Sequence, residues 1–232
     1  MQFNEDQKKQ FDYQLDNHNH TKYEVDIEID TDEILKGFEI HAKVLRPEVM
    51  SAMYLAKWLF FNNGIYKDKS VIDMGCGTGL QGIVAGLYGA KRVVFSDIAP
   101  EAVENTKANV EKFDLKNIEV VEGDLFASIK ERADIIIFNH PFFSDETMEG
   151  MKVEKTMREQ GKLIHRFFDD CKNFLNQDGI IIMPYYHIAG ETNDPEIQAP
   201  EHNLDVAIRF RHDCKGGLQK GLVSIYELSF KK

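Results

Sequence analysis

Cysteine is scarce in this chain: Cys76, Cys171 and Cys214 are the only three in 232 residues, and no two stand at a metal-ligand or redox-pair spacing. That excludes a disulfide framework and a zinc site as organising features, and reduced thiols in a cytoplasmic protein are expected. No stretch approaches the ~18 consecutive apolar residues of a membrane span. The start, Met1-Gln2-Phe3-Asn4-Glu5-Asp6, lacks the basic cap and apolar core of a secretory signal. Basic residues are in deficit, 28 against 39 acids, for a net charge of −11. Such a surface repels phosphate chains and places nucleic acid below a small molecule or a protein as the expected substrate. Arg209, Arg211, Lys215, Lys220, Lys231 and Lys232 gather near the C-terminus against that trend. The oligomeric state is left open.

What is present suits an ordinary soluble globule, 43% hydrophobic and 29% charged, long enough for one α/β domain with a ligand cleft. Residues 1–21 are polar and fit either a frayed helix or a lid; His18 and His20 among them read as surface residues, and no metal is expected. Val25, Ile27 and Ile29 alternate with acids, and Phe38, Ile40, Ala42 and Val44 alternate with polar residues, which predicts a hairpin with Gly37 at its return. Pro47 opens a helical spacing through Val49, Met50, Met53, Tyr54, Trp58 and Leu59. Apolar runs at 70–74, 92–96, 118–121, 134–138 and 179–184 then alternate with helical patterns at 79–89, 100–113 and about 152–175. That order implies a parallel sheet covered on both faces. Strand-like runs from Leu204 to Phe210 and Leu222 to Phe230, around Lys215-Gly216-Gly217, predict a closing antiparallel hairpin.

The segment Val71-Ile72-Asp73-Met74-Gly75-Cys76-Gly77-Thr78-Gly79 carries a β-branched strand into a glycine-rich turn and then a helix. Glycines there admit positive φ and let a ligand approach the backbone. Asp73 puts a carboxylate where a cation is attracted and a pyrophosphate repelled. Asp97 closes the next strand, placed either to accept ribose hydroxyls or to cap the helix starting near Pro100, and Ile98 follows it. Glu122-Gly123-Asp124-Leu125-Phe126 offers a carboxylate and apolar cover at the end of the third strand. A literal G-x-G-x-x-G from Gly77 to Gly82 leaves an NAD(P)-dependent oxidoreductase as the alternative from another class.

Asp73-x-Gly75-x-Gly77-x-Gly79, Asp97 and Asp124-Leu125 resemble, in order and spacing, the cofactor motifs of class I S-adenosylmethionine-dependent methyltransferases, over about residues 44–185. The resemblance implies a Rossmann-like α/β fold with a mostly parallel seven-stranded sheet of order 3-2-1-4-5-7-6. It implies S-adenosylmethionine as cofactor, with Asp73, Gly75, Cys76, Gly77 and Gly79 around the methionine portion, Asp97 at the ribose, Asp124 and Leu125 at the adenine, and Ile98 also among the cofactor-binding residues. Residues 1–46 are then expected to form an N-terminal extension and hairpin covering the cleft, and residues 47–232 the methyltransferase domain.

The fourth strand of that sheet runs into Asn139-His140-Pro141-Phe142, a corner at the strand end where the crevice of an open parallel sheet lies. The corner resembles the Asn-Pro-Pro-aromatic signature of methyltransferases acting on planar amino groups, with His140 replacing the first proline. The resemblance implies Asn139, His140, Pro141 and Phe142 as the catalytic set: the Asn139 side-chain oxygen and the His140 carbonyl accept the target N–H bonds, and Phe142 stacks on the target plane. The His140 ring is in addition a candidate base near neutral pH. Phe142, Phe143, Tyr185, Tyr186 and His187 fit either the core or the lining of the same mouth. The expected activity is methyl transfer to a nitrogen of a small molecule or protein side chain, with an RNA or DNA base amine as the alternative.

Overall fold

Alternating apolar and acidic residues pair β1 (Tyr23–Asp30) with β2 (Glu33–Ile40) as an antiparallel hairpin. The protein is described here by a computed structural model covering residues 20–48, 51–142, 162–214 and 221–232, with Glu5 and Lys9. The hairpin returns at Thr31 and Asp32, not at Gly37. Gly37 sits inside β2 at φ 63°, where the register slips between Val25 and Ile27 and its N–H donates to Asp26 Oδ1 at 2.8 Å. It marks a bulge, a place where a left-handed glycine carries no Cβ penalty. Ala42 and Val44 lie in a turn beyond the strand. Pro47 and Glu48 also lie in a turn, so the proline precedes α1 (Ser51–Phe61) and does not open it. Val49 and Met50 fall outside the described residues, as do His18, Phe143, residues 152–161 of the third helical pattern and the Lys215-Gly216-Gly217 turn.

The alternation then unfolds as β3 (Ser70–Met74), α2 (Leu80–Leu87), β4 (Arg92–Asp97), α3 (Pro100–Lys112), β5 (Ile118–Glu122), β6 (Ala133–Phe138), α4 (Lys162–Cys171), β7 (Leu175–Tyr186), α5 (Pro195–Gln198), β8 (Leu204–Cys214) and β9 (Gly221–Phe230). The seven-stranded sheet has the order β5-β4-β3-β6-β7-β9-β8. Strands β5 to β7 are parallel, and β9 runs antiparallel to both β7 and β8. Counted within the sheet this is the expected 3-2-1-4-5-7-6, and the winding reverses between β3 and β6. The ligand crevice of such a sheet opens at the C-terminal ends of those two strands. β7 starts earlier than its apolar run predicts, because Asp178 takes a left-handed φ of 60° and the pairing with β6 is irregular between Ala133 and Ile135. The helix before it consequently stops at Cys171.

Period-two alternation divides the core. Ile136 and Phe138 of β6 join one cluster with Phe126, Phe167, Tyr185 and Tyr226, while Ile135 and Ile137 join another with Leu55, Leu80, Phe95 and the hairpin residues Ile27 and Phe38. The hairpin thus shares the core of the main sheet. Its outer edge is satisfied by two side chains of α3, one helical turn apart. Asn109 Oδ1 accepts Glu39 N–H and Asn105 Oδ1 accepts His41 N–H, both at 2.8 Å, and both amide nitrogens donate to the Glu39 carbonyl, at 2.9 and 2.8 Å. Two asparagines take the place of a missing neighbouring strand, which an edge needs when it is covered by protein.

Candidate active site

At the end of β3 the chain turns through Gly75, Gly77 and Gly79 with φ of 62°, 56° and 83°. The turn is held from several sides. Gly79 N–H donates to Cys76 O at 2.7 Å and Cys76 N–H to Ser96 O at 3.1 Å. Thr106 donates to Gly77 O at 3.0 Å, and Asn109 Nδ2, already engaged with the hairpin, donates to Thr78 O at 2.9 Å. Side chains of α3 therefore occupy the carbonyl side of the turn. The other side is open: a Cβ built on Gly77 would meet no heavy atom within 4 Å.

The two acids of this region have different surroundings. Asp73 is 1% exposed, and its Oδ2 accepts Gly82 N–H at 2.8 Å. Burial, with a smaller contribution from nearby Asp97, pushes its carboxyl up to about 8. Expected to face a cationic ligand, Asp73 is instead enclosed under the turn, where it braces α2; a Cβ on Gly82 would come within 2.3 Å of Phe95 and 2.9 Å of Asp73 Oδ2. Asp97 is half-buried at the crevice. Its Oδ2 accepts Gly77 N–H and its Oδ1 accepts Ala99 N–H, each at 2.9 Å, so the carboxylate ties the glycine turn to the entry of α3, whose N-cap is Ala99 and not Asp97. Its carboxyl is also raised by burial.

Three separate motifs meet at Asp97. The glycine turn reaches it through Gly77, and the third motif through Gly123 N–H, which donates to Asp97 O at 2.9 Å. Ile98, next in sequence, leaves 46% of its surface exposed, while Leu125 is buried at φ 50° with its carbonyl accepting from Ser96. Asp124 stands at the surface, ion-paired with Arg166 of α4 at 2.5 Å. An open glycine turn, a half-buried carboxylate and a bare isoleucine in succession suit a nucleoside: backbone for the tail, an acceptor for ribose, an apolar face for the base.

Met74 pairs with Phe138 across β3 and β6, so Gly75 and Asn139 are the next residues on adjacent strands and open on the same edge of the sheet. Phe138 closes the gap, 3.4 Å from where a Gly75 Cβ would stand. Exposure alternates through the corner: Asn139 and Pro141 are half-exposed, His140 and Phe142 buried. Asn139 Oδ1 accepts from Ser51 Oγ, at the start of α1, at 3.1 Å. His140 lies parallel to Tyr185, with ring centroids 5.8 Å apart, and its Nε2 meets the Asn193 carbonyl at 2.8 Å. Burial pushes its pKa down to about 4, which corrects the expectation of a base poised near neutral pH. Phe142, 8% exposed, packs edge-on to His140 and Tyr185; it supports the corner from inside and does not present its face to a ligand. Tyr185 and Tyr186 are likewise core, while His187 is half-buried beside Asp194 and Ser224. Ser51, Thr106, Asn109, Arg166 and Asn193 reach the site without any motif in their own neighbourhood of sequence to announce them.

This strand order, with a glycine turn and an acid at the ends of adjacent strands, is the fold of class I S-adenosylmethionine-dependent methyltransferases. Residues 55–191 match the family described as methyltransferase small domain, and the chain belongs to that family of S-adenosylmethionine-dependent enzymes. The dinucleotide alternative is thereby set aside. A Methanocaldococcus jannaschii protein named as a protein N5-glutamine methyltransferase is 31% identical over 154 residues, 63% of this chain and 77% of that protein. A Clostridium botulinum ribosomal protein L11 methyltransferase is 46% identical over 72 residues, 31% of this chain but only 23% of that enzyme. Among solved structures, a T. thermophilus 16S rRNA N2 G1207 methyltransferase superposes with a TM-score of 0.65 at 15% identity, covering 91% of this chain and 51% of that one, a likeness of fold. Among the described residues no helix is long and apolar enough to cross a membrane.

Proposed function

We propose that this enzyme transfers a methyl group to the amide nitrogen of a protein side chain, gripped at the corner formed by Asn139, His140 and Pro141. The observation that carries the reading is Asn139, half-exposed at the end of β6 beside the Gly75 turn, with Ser51 orienting its Oδ1. A carbonyl oxygen has two lone pairs, so one remains for an incoming N–H, and the adjacent His140 carbonyl takes the second N–H of the same NH2. The similarity to a protein named as a glutamine methyltransferase supports this acceptor over others.

S-adenosylmethionine, when bound, supplies a methyl group already activated on a sulfonium. Gly75, Cys76, Gly77 and Gly79 offer backbone to its methionine portion, Asp97 accepts from the ribose, and Ile98, Asp124 and Leu125 border the adenine. Asp73 acts beneath the turn by holding α2 in place. An amide nitrogen is a poor nucleophile because its lone pair is delocalised; acceptors on both N–H bonds favour the pyramidal geometry that frees it. Holding that nitrogen in line supplies most of the remaining acceleration. Of the N-terminal extension, the β1–β2 hairpin is tied to the glycine turn through Asn109, which bonds both Glu39 and Thr78.

Incubation with methyl-tritiated S-adenosylmethionine and peptides bearing glutamine or asparagine, followed by enzymatic digestion and mass analysis, tests the proposal. N-methylated amide residues are the expected product. Label found only in an RNA or DNA oligonucleotide offered in parallel would replace the protein amide by a base amine, and label in neither would sink both.

A further inference from the structure

Behind the corner, the chain that leaves β7 folds back as a strap. Tyr185 lies flat against the His140 ring and donates its hydroxyl to Gly190 O at 2.8 Å. Further along, Asp194 caps α5 through Glu196 N–H at 2.9 Å and lies 3.4 Å from His187 Nδ1, which anchors the far end. Between these anchors stands Asn193, 5% exposed, with two contacts to the corner. Its Nδ2 donates to the Phe142 carbonyl at 3.0 Å, and its own carbonyl accepts from His140 Nε2 at 2.8 Å. A carbonyl only accepts, so Nε2 carries the hydrogen.

The peptide unit joining His140 to Pro141 lies between these two tethers, and it bears the carbonyl assigned above to the target N–H. A proline preceding it would have its φ locked by the ring; histidine has no such lock. We propose that Asn193 is a positioning residue for the methyl acceptor: by holding the His140 ring and the Phe142 carbonyl together it fixes the direction of the His140 carbonyl. Asn193 thereby supplies through hydrogen bonds the rigidity that a ring supplies covalently. The inference rests on the corner being the acceptor site.

Asn193→Asp keeps the size and shape of the side chain and the backbone carbonyl, but replaces the donor facing Phe142 O by an acceptor. On glutamine peptides, its kcat is expected to fall by on the order of ten- to a hundredfold, the scale of a small misplacement of reacting groups. KM for S-adenosylmethionine and the melting shift produced by S-adenosylhomocysteine stay as in the parent. Amide hydrogen exchange of a peptide fragment spanning residues 139–142 accelerates in step with the loss. Parental kcat together with parental exchange would overturn the assignment. If the variant does not fold, the unaltered protein still decides: long-range proton–nitrogen NMR must show the His140 ring as the Nε2–H tautomer, untitrated between about pH 6 and 8. An Nδ1–H tautomer would remove the clamp. If the parent methylates no peptide amide, the acceptor reading fails on its own, while exchange and tautomer still report whether Asn193 holds the corner.

Discussion

Replacing Gly77 by alanine separates making the turn from filling it. At φ 56° the residue occupies the left-handed region, where an L side chain costs about 1–2 kcal/mol. The added Cβ meets nothing within 4 Å, so no packing penalty accompanies that strain. For a chain of this size each kcal/mol lowers the melting temperature by roughly 2–4 °C, so the variant should melt about 2–8 °C below the parent and remain folded. Cofactor binding responds differently, because the methyl stands in the space assigned to the methionine portion of the cofactor. S-adenosylhomocysteine at about 100 times its Kd stabilises the parent by about 2.7 kcal/mol, a rise of roughly 5–11 °C. Gly77→Ala should show no rise. Thermal melting with and without ligand reads both effects. A variant that keeps the full ligand shift would refute the placement of the cofactor, and one that fails to fold would contradict the open side of the turn.

Gly82→Ala is the converse case: its Cβ would come within 2.3 Å of Phe95, so stability should fall by about 1–3 kcal/mol while whatever folds keeps its ligand shift, again read by melting. Asn139→Ala should bind S-adenosylhomocysteine as the parent does but lose methyl transfer by on the order of a hundredfold, measured as kcat on a peptide acceptor; unchanged turnover would remove the amide grip. Stability against pH should reflect two buried groups of opposite sign. His140, pushed down from 6.5 to about 4, favours the folded state above pH 6.5 and loses that contribution as pH falls through its folded value; Asp73, raised from 3.8 to about 8, favours folding at low pH and loses it as pH rises toward 8. The two slopes offset each other between about pH 4 and 6.5, and only the Asp73 slope remains from there to about 8. Asp73→Asn should therefore flatten the decline on that alkaline side in denaturant titrations. Turnover, by contrast, should show no limb near pH 6.5 from the imidazole.

The parallel sheet was legible because a strand buried on both faces must be continuously apolar, as Ile135-Ile136-Ile137-Phe138 is, whatever surrounds it. Turns were less so. Gly37 reads as a return because glycine marks any left-handed residue, and local sequence does not distinguish a bulge from a reversal. Asp73, Gly77, Asp97 and Asn139 could be found because a strand end and the turn after it are contiguous in sequence. Ser51 and Asn193 could not, since they meet the corner across 88 and 51 residues; the helical spacing around Ser51 does not say which strand end its hydroxyl reaches, and Asn193 lies in no patterned segment. The burial of His140 and Phe142 was hidden for a related reason: a corner exposes alternate residues, and which alternate faces inward is decided by Tyr185, supplied by another strand.

Because the Asn109 amide bridges Glu39 and Thr78, one side chain joins the hairpin to the cofactor turn. In a version cut off before residue 47, Asn105 and Asn109 would face solvent with their strand partners gone, and the peg that steadies Thr78 would be loose at one end. The front of this molecule is part of the scaffolding of its active centre, and swapping it between related enzymes to change acceptors would disturb the cofactor grip unless both asparagines and a matching strand travelled with it.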